Sequence, residues 1–285
     1  MKLIRFRHSN EIHTGVLNDR GVVAMAEINA RLGTKVPNDL LAIIQQNAFS
    51  QLTGFDDLPA IPYTEVIPML PYDTPPKIWC IGLNYRSHAD DIQAVQPEEP
   101  GSFMKPASCM FAPEGEIVLP PAEVSGDVDA EGELGVIVGR TCRFVPAENV
   151  KDVIFGYTTT LDLTALDVLR KNPRYLTRAK SIDTFFSFGP VVVTADEIRD
   201  VDSLEVITEH NEAICSRDFV RNMRTRPFEL VRYHSDFMTL HAGDLISTGC
   251  PKGARIRAGD RVRARIDGIG TLGASVRQGI REPKF

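Results

Sequence analysis

A short acidic segment carries the residues with the clearest chemical potential. Within residues 127–133, four of the seven side chains are carboxylates, and the apolar run 135–138 follows directly. Side chains alternate faces in an extended strand, so Asp129, Glu131 and Glu133 are predicted to point the same way. Three like charges at the start of a buried strand are unfavourable unless something neutralises them. A divalent cation with oxygen ligands would do so; a solvated strand end with scattered acids is the alternative.

A histidine and a carboxylate lie three residues apart after the next apolar strand upstream. Residues 77–82 predict that strand, and 83–92 predict a short helix on which His88 and Asp91 share one face. A carboxylate beside an imidazole fixes its tautomer and raises its basicity, which suits a general base. An exposed histidine with an incidental acid nearby is the alternative, and spacing by itself favours that alternative.

Asp162 lies where a predicted strand meets a predicted helix. Residues 157–161 are rich in strand formers, and 164–170 predict a helix. Asp162 is therefore either a helix cap or a third ligand beside the acidic segment. Three carboxylates would leave positions open for water and substrate, as in an octahedral Mg²⁺ or Mn²⁺ site. Lys105, which precedes a proline, is either an exposed side chain or a contact for an anion.

Composition narrows the class of protein. The net charge of −6 argues against a nucleic-acid or anionic-membrane partner. No apolar run approaches the roughly 20 residues of a membrane span, and the first residues alternate like a strand rather than forming a signal peptide. Five scattered cysteines indicate reduced thiols, so we expect a cytoplasmic protein without disulfides.

The chain is predicted to divide into two domains. Short strand patterns near residues 3–6, 15–17 and 21–24 precede a helix near 40–44, and six prolines punctuate the segment 57–76. We therefore predict a small β-rich N-terminal domain with its linker over residues 1–72. The catalytic domain is predicted over residues 73–285.

The motifs that follow residue 75 are specific because of their order. They are IGLNY (81–85) with His88, FMKP (103–106), DAEGEL (129–134), GY (156–157) with Asp162, RAKSIDTF (178–185) with GP (189–190), FMTL (237–240) with GD (243–244), STG (247–249) with Pro251, and GIGTL (268–272). Together they resemble the fumarylacetoacetate hydrolase family. The resemblance implies an α+β fold, with a mixed β-sheet rolled into a sandwich-like barrel, and a homodimer.

The resemblance also implies roles for individual residues. Glu131, Glu133 and Asp162 would bind Mg²⁺ or Mn²⁺, and Lys180 beside the ion would stabilise a developing enolate. His88, paired with Asp91, would activate water. The implied substrate-binding residues are Tyr85, Arg86, Lys105, Leu166, Leu169, Thr248 and Gly249.

These roles predict a metal-dependent hydrolase that cleaves a C–C bond in a β-diketone or an acylpyruvate-type 2-oxo acid. The substrate would chelate the ion, which would act as a Lewis acid. An isomerase (tautomerase) or decarboxylase acting on oxaloacetate or a 2-hydroxydienoate is the alternative, because one fold supports several reactions. A catalytically silent dimer with a binding or structural role is the alternative outside enzymes.

The chain departs from the family pattern at three places. Asp91 replaces the usual glutamate, and its shorter side chain reaches less far towards His88. Leu166 and Leu169 replace an arginine and a glutamine, which predicts a more apolar wall and a substrate other than a small dicarboxylate; leucines packed in the core are the alternative. Cys250 replaces a threonine, and we interpret it as a packing residue because no base lies beside it in sequence.

Overall fold

Two mixed β-sheets carry the fold, and the computed structural model describes residues 1–281. The sixteen strands are β1 (Lys2–His8), β2 (Glu11–Asn18), β3 (Gly21–Ala24), β4 (Ile67–Pro68), β5 (Ile78–Gly82), β6 (Gly101–Lys105), β7 (Glu116–Leu119), β8 (Val128–Val138), β9 (Ile154–Ala165), β10 (Phe186–Thr194), β11 (Glu205–His210), β12 (Ala213–Phe219), β13 (Leu245–Ser247), β14 (Ala254–Ile256), β15 (Arg261–Ile266) and β16 (Gly270–Gln278).

The helices are short and lie between the strands. They are α1 (Met25–Leu32), α2 (Leu40–Gln45), α3 (Arg86–Asp91), α4 (Val150–Val153), α5 (Leu166–Lys171), α6 (Leu176–Lys180) and α7 (Pro227–Phe237). None of the helices within residues 1–281 combines the length and the apolar character that crossing a membrane requires. The predicted helices around His88 and after Asp162 are present as α3 and α5.

The large sheet has the strand order β3-β2-β1-β10-β9-β8-β13-β5-β6, with β4 paired to β1 and β14 paired to β8. The small sheet has the order β12-β11-β15-β16-β7. Each sheet contains one parallel pair, β13 with β5 and β16 with β7, among antiparallel ones. This confirms a mixed α+β fold. Within residues 1–281 both sheets keep open edges, so the closed barrel implied by the resemblance is not confirmed.

Strands β8 and β9 form the centre of the large sheet. Every residue of both strands is buried, because side chains from one face pack on the small sheet and those from the other pack on the rest of the core. Their antiparallel register places Glu131 opposite Asp162 and Glu133 opposite Thr160. Two carboxylate-bearing strands thus meet side by side in the interior.

The N-terminal strands continue the large sheet. Strand β1 pairs with β10, with Leu3 opposite Val192. Leu3 and Ile43 also share an apolar cluster with residues from the rest of the chain, including Phe186 and Leu245. The division at residues 72 and 73 stays a prediction, and any N-terminal domain would share its sheet and core with the remainder.

Candidate active site

Three carboxylates converge where β8 and β9 pair. Glu131 and Glu133 come from alternate positions of β8, and Asp162 comes from the facing position of β9. One oxygen from each lies within 4.8 Å of the other two, and all three side chains are buried. The predicted convergence of these residues is therefore present. Three hard oxygen donors held this closely fit a divalent cation such as Mg²⁺ or Mn²⁺.

Two buried lysines offset part of the negative charge. The Nζ atom of Lys180 lies 2.9 Å from Glu131 Oε2 and 2.8 Å from Asp162 Oδ2. Although burial opposes it, attraction to Asp162, Glu131 and Glu133 holds the pKa of Lys180 well above its ordinary value. Lys105 contacts the other oxygen of Asp162. When all three carboxylates are ionised, they outnumber the two ammonium groups, and a bound cation would offset the excess negative charge.

Lys105 is buried against the carboxylate of Asp162, so of the two interpretations of the sequence the exposed side chain is wrong and the contact with an anion remains. Its ammonium group donates hydrogen bonds to the carbonyls of Leu163 at 3.1 Å and Phe185 at 2.6 Å. These bonds tie β6 to the end of β9 and to the segment before β10. Exposure of Lys105 was a wrong prediction, because the carbonyls that bind its ammonium group are distant in sequence.

Glu133 accepts two hydrogen bonds and has a raised pKa. The Oε2 atom of Glu133 accepts a hydrogen bond from Ser247 Oγ at 2.5 Å and another from the backbone N–H of Gly249 at 2.9 Å. Burial, followed by the carboxylates of Asp162 and Glu131, raises the pKa of Glu133 to about 8. A cation bound among these groups would favour the ionised form of Glu133.

A glycine is required where the turn after β13 meets Glu133. Gly249 has a φ of +94°, and a Cβ there would lie 2.9 Å from the Cβ of Asn84. Asn84 in turn donates to the carbonyl of Thr248 at 2.7 Å, which fixes the turn. Any side chain at residue 249 would move the N–H group away from Glu133.

Glu131 is stabilised in its ionised form. Burial by itself raises the pKa of Glu131, but Lys180, His88 and a hydrogen bond from Thr164 outweigh burial, so the pKa lies below its ordinary value. The hydroxyl of Thr164 donates to Glu131 Oε1 at 2.6 Å. Thr164 was predicted to begin a helix, but it lies in β9, two residues after Asp162 and on the same face of that strand.

Asp129 does not join the other carboxylates, although the alternation of β8 gives it the same face. Arg255, on the neighbouring strand β14, places its Nε atom 2.6 Å from Asp129 Oδ1. Burial and then Glu131 raise the pKa of Asp129 to about 7. Asp129 is therefore paired with Arg255 and is not part of the cluster formed by Glu131, Glu133 and Asp162.

His88 lies in the site, but its predicted acid partner does not. A ring nitrogen of His88, an oxygen of Glu131 and Cys250 Sγ lie within 4.8 Å of one another. Burial lowers the pKa of His88, which keeps the imidazole neutral near pH 7. Asp91 instead forms an ion pair with Lys252, at 2.7 Å, and the buried Nδ1 of His88 has no hydrogen-bond partner. The predicted pair of His88 and Asp91 is therefore absent.

Two of the carboxylates, Glu131 and Glu133, line a cavity of about 740 Å³. Its lining includes His88, Asp91, Lys180, Leu166 and Leu169 among the predicted residues. Both leucines line the cavity, which supports the substrate-wall interpretation, and Leu169 also packs against a buried apolar cluster. Cys250 also lines the cavity; burial raises the pKa of its thiol well above the ordinary value, in keeping with a packing residue. Pro173 and Leu176 complete the wall, and no motif in the sequence indicated them.

Five predicted substrate-binding residues lie outside the cavity lining: Tyr85, Arg86, Lys105, Thr248 and Gly249. Tyr85 is fully buried, and the side chain of Arg86 is 86% exposed and points towards Asp90. The hydroxyl of Thr248 donates to the carbonyl of Leu134 at 2.8 Å. Lys105, Thr248 and Gly249 thus hold the backbone around the carboxylates, whereas Tyr85 belongs to the apolar core.

The fold and the carboxylate site together define the family. A family model described as the C-terminal domain of fumarylacetoacetate (FAA) hydrolase matches residues 77–277. The chain therefore belongs to the fumarylacetoacetate hydrolase family. It is also 29% identical, over 289 residues, to the human mitochondrial oxaloacetate tautomerase FAHD2B, covering 95% of this chain and 90% of that protein.

Solved structures with the same fold carry different reaction names. The 5-carboxymethyl-2-hydroxymuconate delta-isomerase of Mycobacterium smegmatis is 29% identical, with a TM-score of 0.77, and covers 99% of this chain and 100% of its own. The maleylpyruvate hydrolase of Sphingobium sp. SYK-6, solved with manganese(II) and pyruvate, is 28% identical, with a TM-score of 0.78 and coverages of 98% and 100%. Family members thus include both hydrolases and isomerases.

Proposed function

We propose that the protein is a Mg²⁺- or Mn²⁺-dependent hydrolase that cleaves a C–C bond in an acylpyruvate-like 2-oxo acid or β-diketone. The observation that carries this proposal is the convergence of Glu131, Glu133 and Asp162 beside Lys180 and a neutral His88, at one end of a cavity. The manganese and pyruvate bound to the similar maleylpyruvate hydrolase support the choice of ion and substrate class.

Glu131, Glu133 and Asp162 would hold the ion. When bound, a divalent ion supplies Lewis acidity to two chelating oxygens of the substrate. Lys180 places a positive charge within 2.9 Å of Glu131 and Asp162. It would therefore stabilise the negative charge that develops on the enolate oxygen as the C–C bond breaks.

His88 is the group that would move protons. Its neutral imidazole accepts a proton from water, while the water oxygen forms a bond to the carbonyl carbon that is not part of the 2-oxo acid unit. The C–C bond then breaks, its electron pair passes to the departing enolate, and the imidazolium returns the proton to that fragment. The products are a carboxylic acid and a 2-oxo acid.

Tautomerisation of an oxo acid such as oxaloacetate is the second candidate, and one observation favours it. Asp91 is engaged by Lys252, so His88 lacks the carboxylate that would strengthen it as a base towards water. Moving one proton between carbon and oxygen needs no water attack, and a single imidazole can perform it. The similarity to an oxaloacetate tautomerase over 95% of the chain also supports this candidate.

The proposal also includes a homodimer in the cytoplasm and the sandwich-like barrel arrangement of the family. Sedimentation or light scattering of the purified protein would test the dimer.

The test of function uses metal-free protein with Mg²⁺ or Mn²⁺ added back. Release of pyruvate from an acylpyruvate, lost with EDTA and restored by the ion, is the expected result. Metal-dependent interconversion of enol and keto oxaloacetate, with no release of pyruvate from an acylpyruvate, would instead establish the second candidate. Equal turnover in EDTA would overturn both. Glu116→Gln, which changes an exposed carboxylate on β7, is the matched control for Glu133→Gln.

A further inference from the structure

Besides Glu131, Glu133 and Lys180, the cavity lining includes a group of apolar side chains. Helices α5 and α6 supply Leu166, Leu169 and Leu176 to its lining, and β6 supplies Phe103. The Phe103 ring lies with its centroid 5.0 Å from Lys180 Nζ, so the apolar surface begins next to the charged end of the site. Apolar atoms form most of the exposed lining.

The cations of this lining are already paired. Within residues 1–281, the lining contains three lysine or arginine side chains, of which Lys180 belongs to the carboxylate end. Arg170 Nη1 lies 2.5 Å from Asp127 Oδ2, and Arg255 contacts both Asp127 and Asp129. Two guanidinium groups thus face two carboxylates. A second carboxylate on the substrate would have to displace one of these partners.

From these contacts we propose that the substrate is a 2-oxo acid whose remote end is an apolar alkyl or aryl group, which binds against Leu166, Leu169 and Leu176. The inference rests on the proposed function for the placement of the 2-oxo acid group at Glu131, Glu133 and Asp162. A cavity of about 740 Å³ has room for such a group, since ligand pockets of about 300–1,000 Å³ hold drug-sized molecules.

Two homologous series of ligands test this inference. In the first, acylpyruvates with lengthening straight-chain acyl groups are compared with an acylpyruvate of equal length that ends in a carboxylate. Each methylene that enters the cavity should raise kcat/KM by about fourfold until the wall is covered, and the carboxylate-ended compound should be the poorer substrate. A flat series, or preference for the carboxylate-ended compound, would overturn the inference.

The second series separates this inference from the proposed reaction. Unreactive 2-oxo acids with lengthening alkyl tails are titrated calorimetrically into the Mn²⁺-loaded protein. If no acylpyruvate is hydrolysed but longer tails bind more tightly, the hydrolase assignment fails and the apolar site stands. If acylpyruvates are hydrolysed but the affinity does not change with the length of the tail, the hydrolase assignment stands and the apolar site is overturned.

Leu169→Gln places an amide in the half-buried part of the wall and should reduce the gain per methylene in both series to less than about twofold. Leu32→Gln, on α1 and outside the cavity lining, is the matched control and should keep the full gain. An unchanged chain-length dependence in Leu169→Gln, with a normal melting temperature, would show that the tail binds elsewhere.

Discussion

The carboxylate of Asp91 and the ammonium of Lys252 form an ion pair of 2.7 Å that connects helix α3 to the segment between β13 and β14. Both side chains are partly exposed, at 31% and 47%. Asp91 is thus paired with Lys252, while the buried Nδ1 of His88 has no hydrogen-bond partner. Helix α3 therefore presents a histidine to the cavity without the carboxylate that usually accompanies a water-activating base.

This arrangement predicts unequal effects of two substitutions on α3. Asp91→Asn should lower kcat by no more than about threefold, whereas His88→Asn should lower it by about 10²-fold or more, because a positioned general base contributes on that scale. Initial rates with an acylpyruvate at saturating Mn²⁺ measure both variants.

Lys252→Met serves as the control, because it removes the same ion pair from the other side. Exposed pairs contribute about 0–1 kcal/mol, so neither Asp91→Asn nor Lys252→Met should change the free energy of unfolding by more than that. A hundredfold loss in Asp91→Asn would show that Asp91 leaves Lys252 for His88 during turnover.

The carboxylate site could be predicted from the sequence, because strand alternation and the family motifs identify its members. Alternation along β8 places Glu131 and Glu133 on one face, and the family motifs added Asp162 on the neighbouring strand. The same alternation gives Asp129 the same face of β8, but it does not show that Asp129 is paired elsewhere. Strand β14 pairs with β8 at that point and brings Arg255 against Asp129, a contact set by the pairing of distant strands.

Long-range contacts also explain the other errors. Asp91 forms an ion pair with Lys252 instead of with His88. Lys105 is not exposed, because it donates hydrogen bonds to the carbonyls of Leu163 and Phe185. In each case the partner is far away in sequence and carries no local signal. Leu166 and Leu169 were placed correctly on the cavity, because the position of Asp162 fixes the register of the helix that follows.

Glu133→Gln should abolish the stabilisation of the protein by Mn²⁺ as well as turnover. Wild-type protein should gain about 2.7 kcal/mol when the free ion is a hundredfold above its dissociation constant, and the variant should gain none. Thermal melts with and without Mn²⁺ measure this difference.

The metal-free form of Glu133→Gln should be at least as stable as metal-free wild type. Burial and the neighbouring carboxylates raise the pKa of Glu133 to about 8, so its side chain is mostly protonated near pH 7 without metal. A neutral amide can therefore replace it, and the amide oxygen can still accept from Ser247 and Gly249. A variant that keeps the Mn²⁺-induced shift would remove Glu133 from the set of ligands. Glu116→Gln should behave as wild type throughout.

Lys105→Met should destabilise the protein far more than a surface lysine substitution. It leaves Asp162 without one buried cation and removes the hydrogen bonds that Lys105 donates to the carbonyls of Leu163 and Phe185. Breaking a buried pair in this way costs about 3–5 kcal/mol. Urea denaturation of the metal-free protein measures the change, with Lys35→Met at an exposed position as the control.

A double substitution distinguishes the charge from the packing at this position. Lys105→Met combined with Asp162→Asn should lose less stability than the sum of the two single changes, because the uncompensated carboxylate is gone. Strict additivity would mean that Lys105 stabilises the fold through the carbonyls and its apolar stem alone.

The last prediction concerns acid sensitivity and rests on His234 in α7. The ring of His234 is fully buried, with its centroid 4.8 Å from that of Trp79, and its Nδ1 hydrogen-bonds to the carbonyl of Leu230 at 2.7 Å. Burial lowers the pKa of His234, although the bond to Leu230 opposes this shift. The folded pKa therefore lies below the unfolded value of about 6.5.

Between those two pKa values the unfolded chain binds more protons than the folded chain, so the free energy of unfolding should fall as the pH drops below about 6.5. One such site contributes at most about 1.4 kcal/mol per pH unit. Urea midpoints at about pH 7.5 and about pH 5.5 should therefore differ less in His234→Leu than in wild type. The same substitution at half-exposed His8 controls for loss of an imidazole. An equal acid-induced loss in His234→Leu and wild type would assign the sensitivity to other groups.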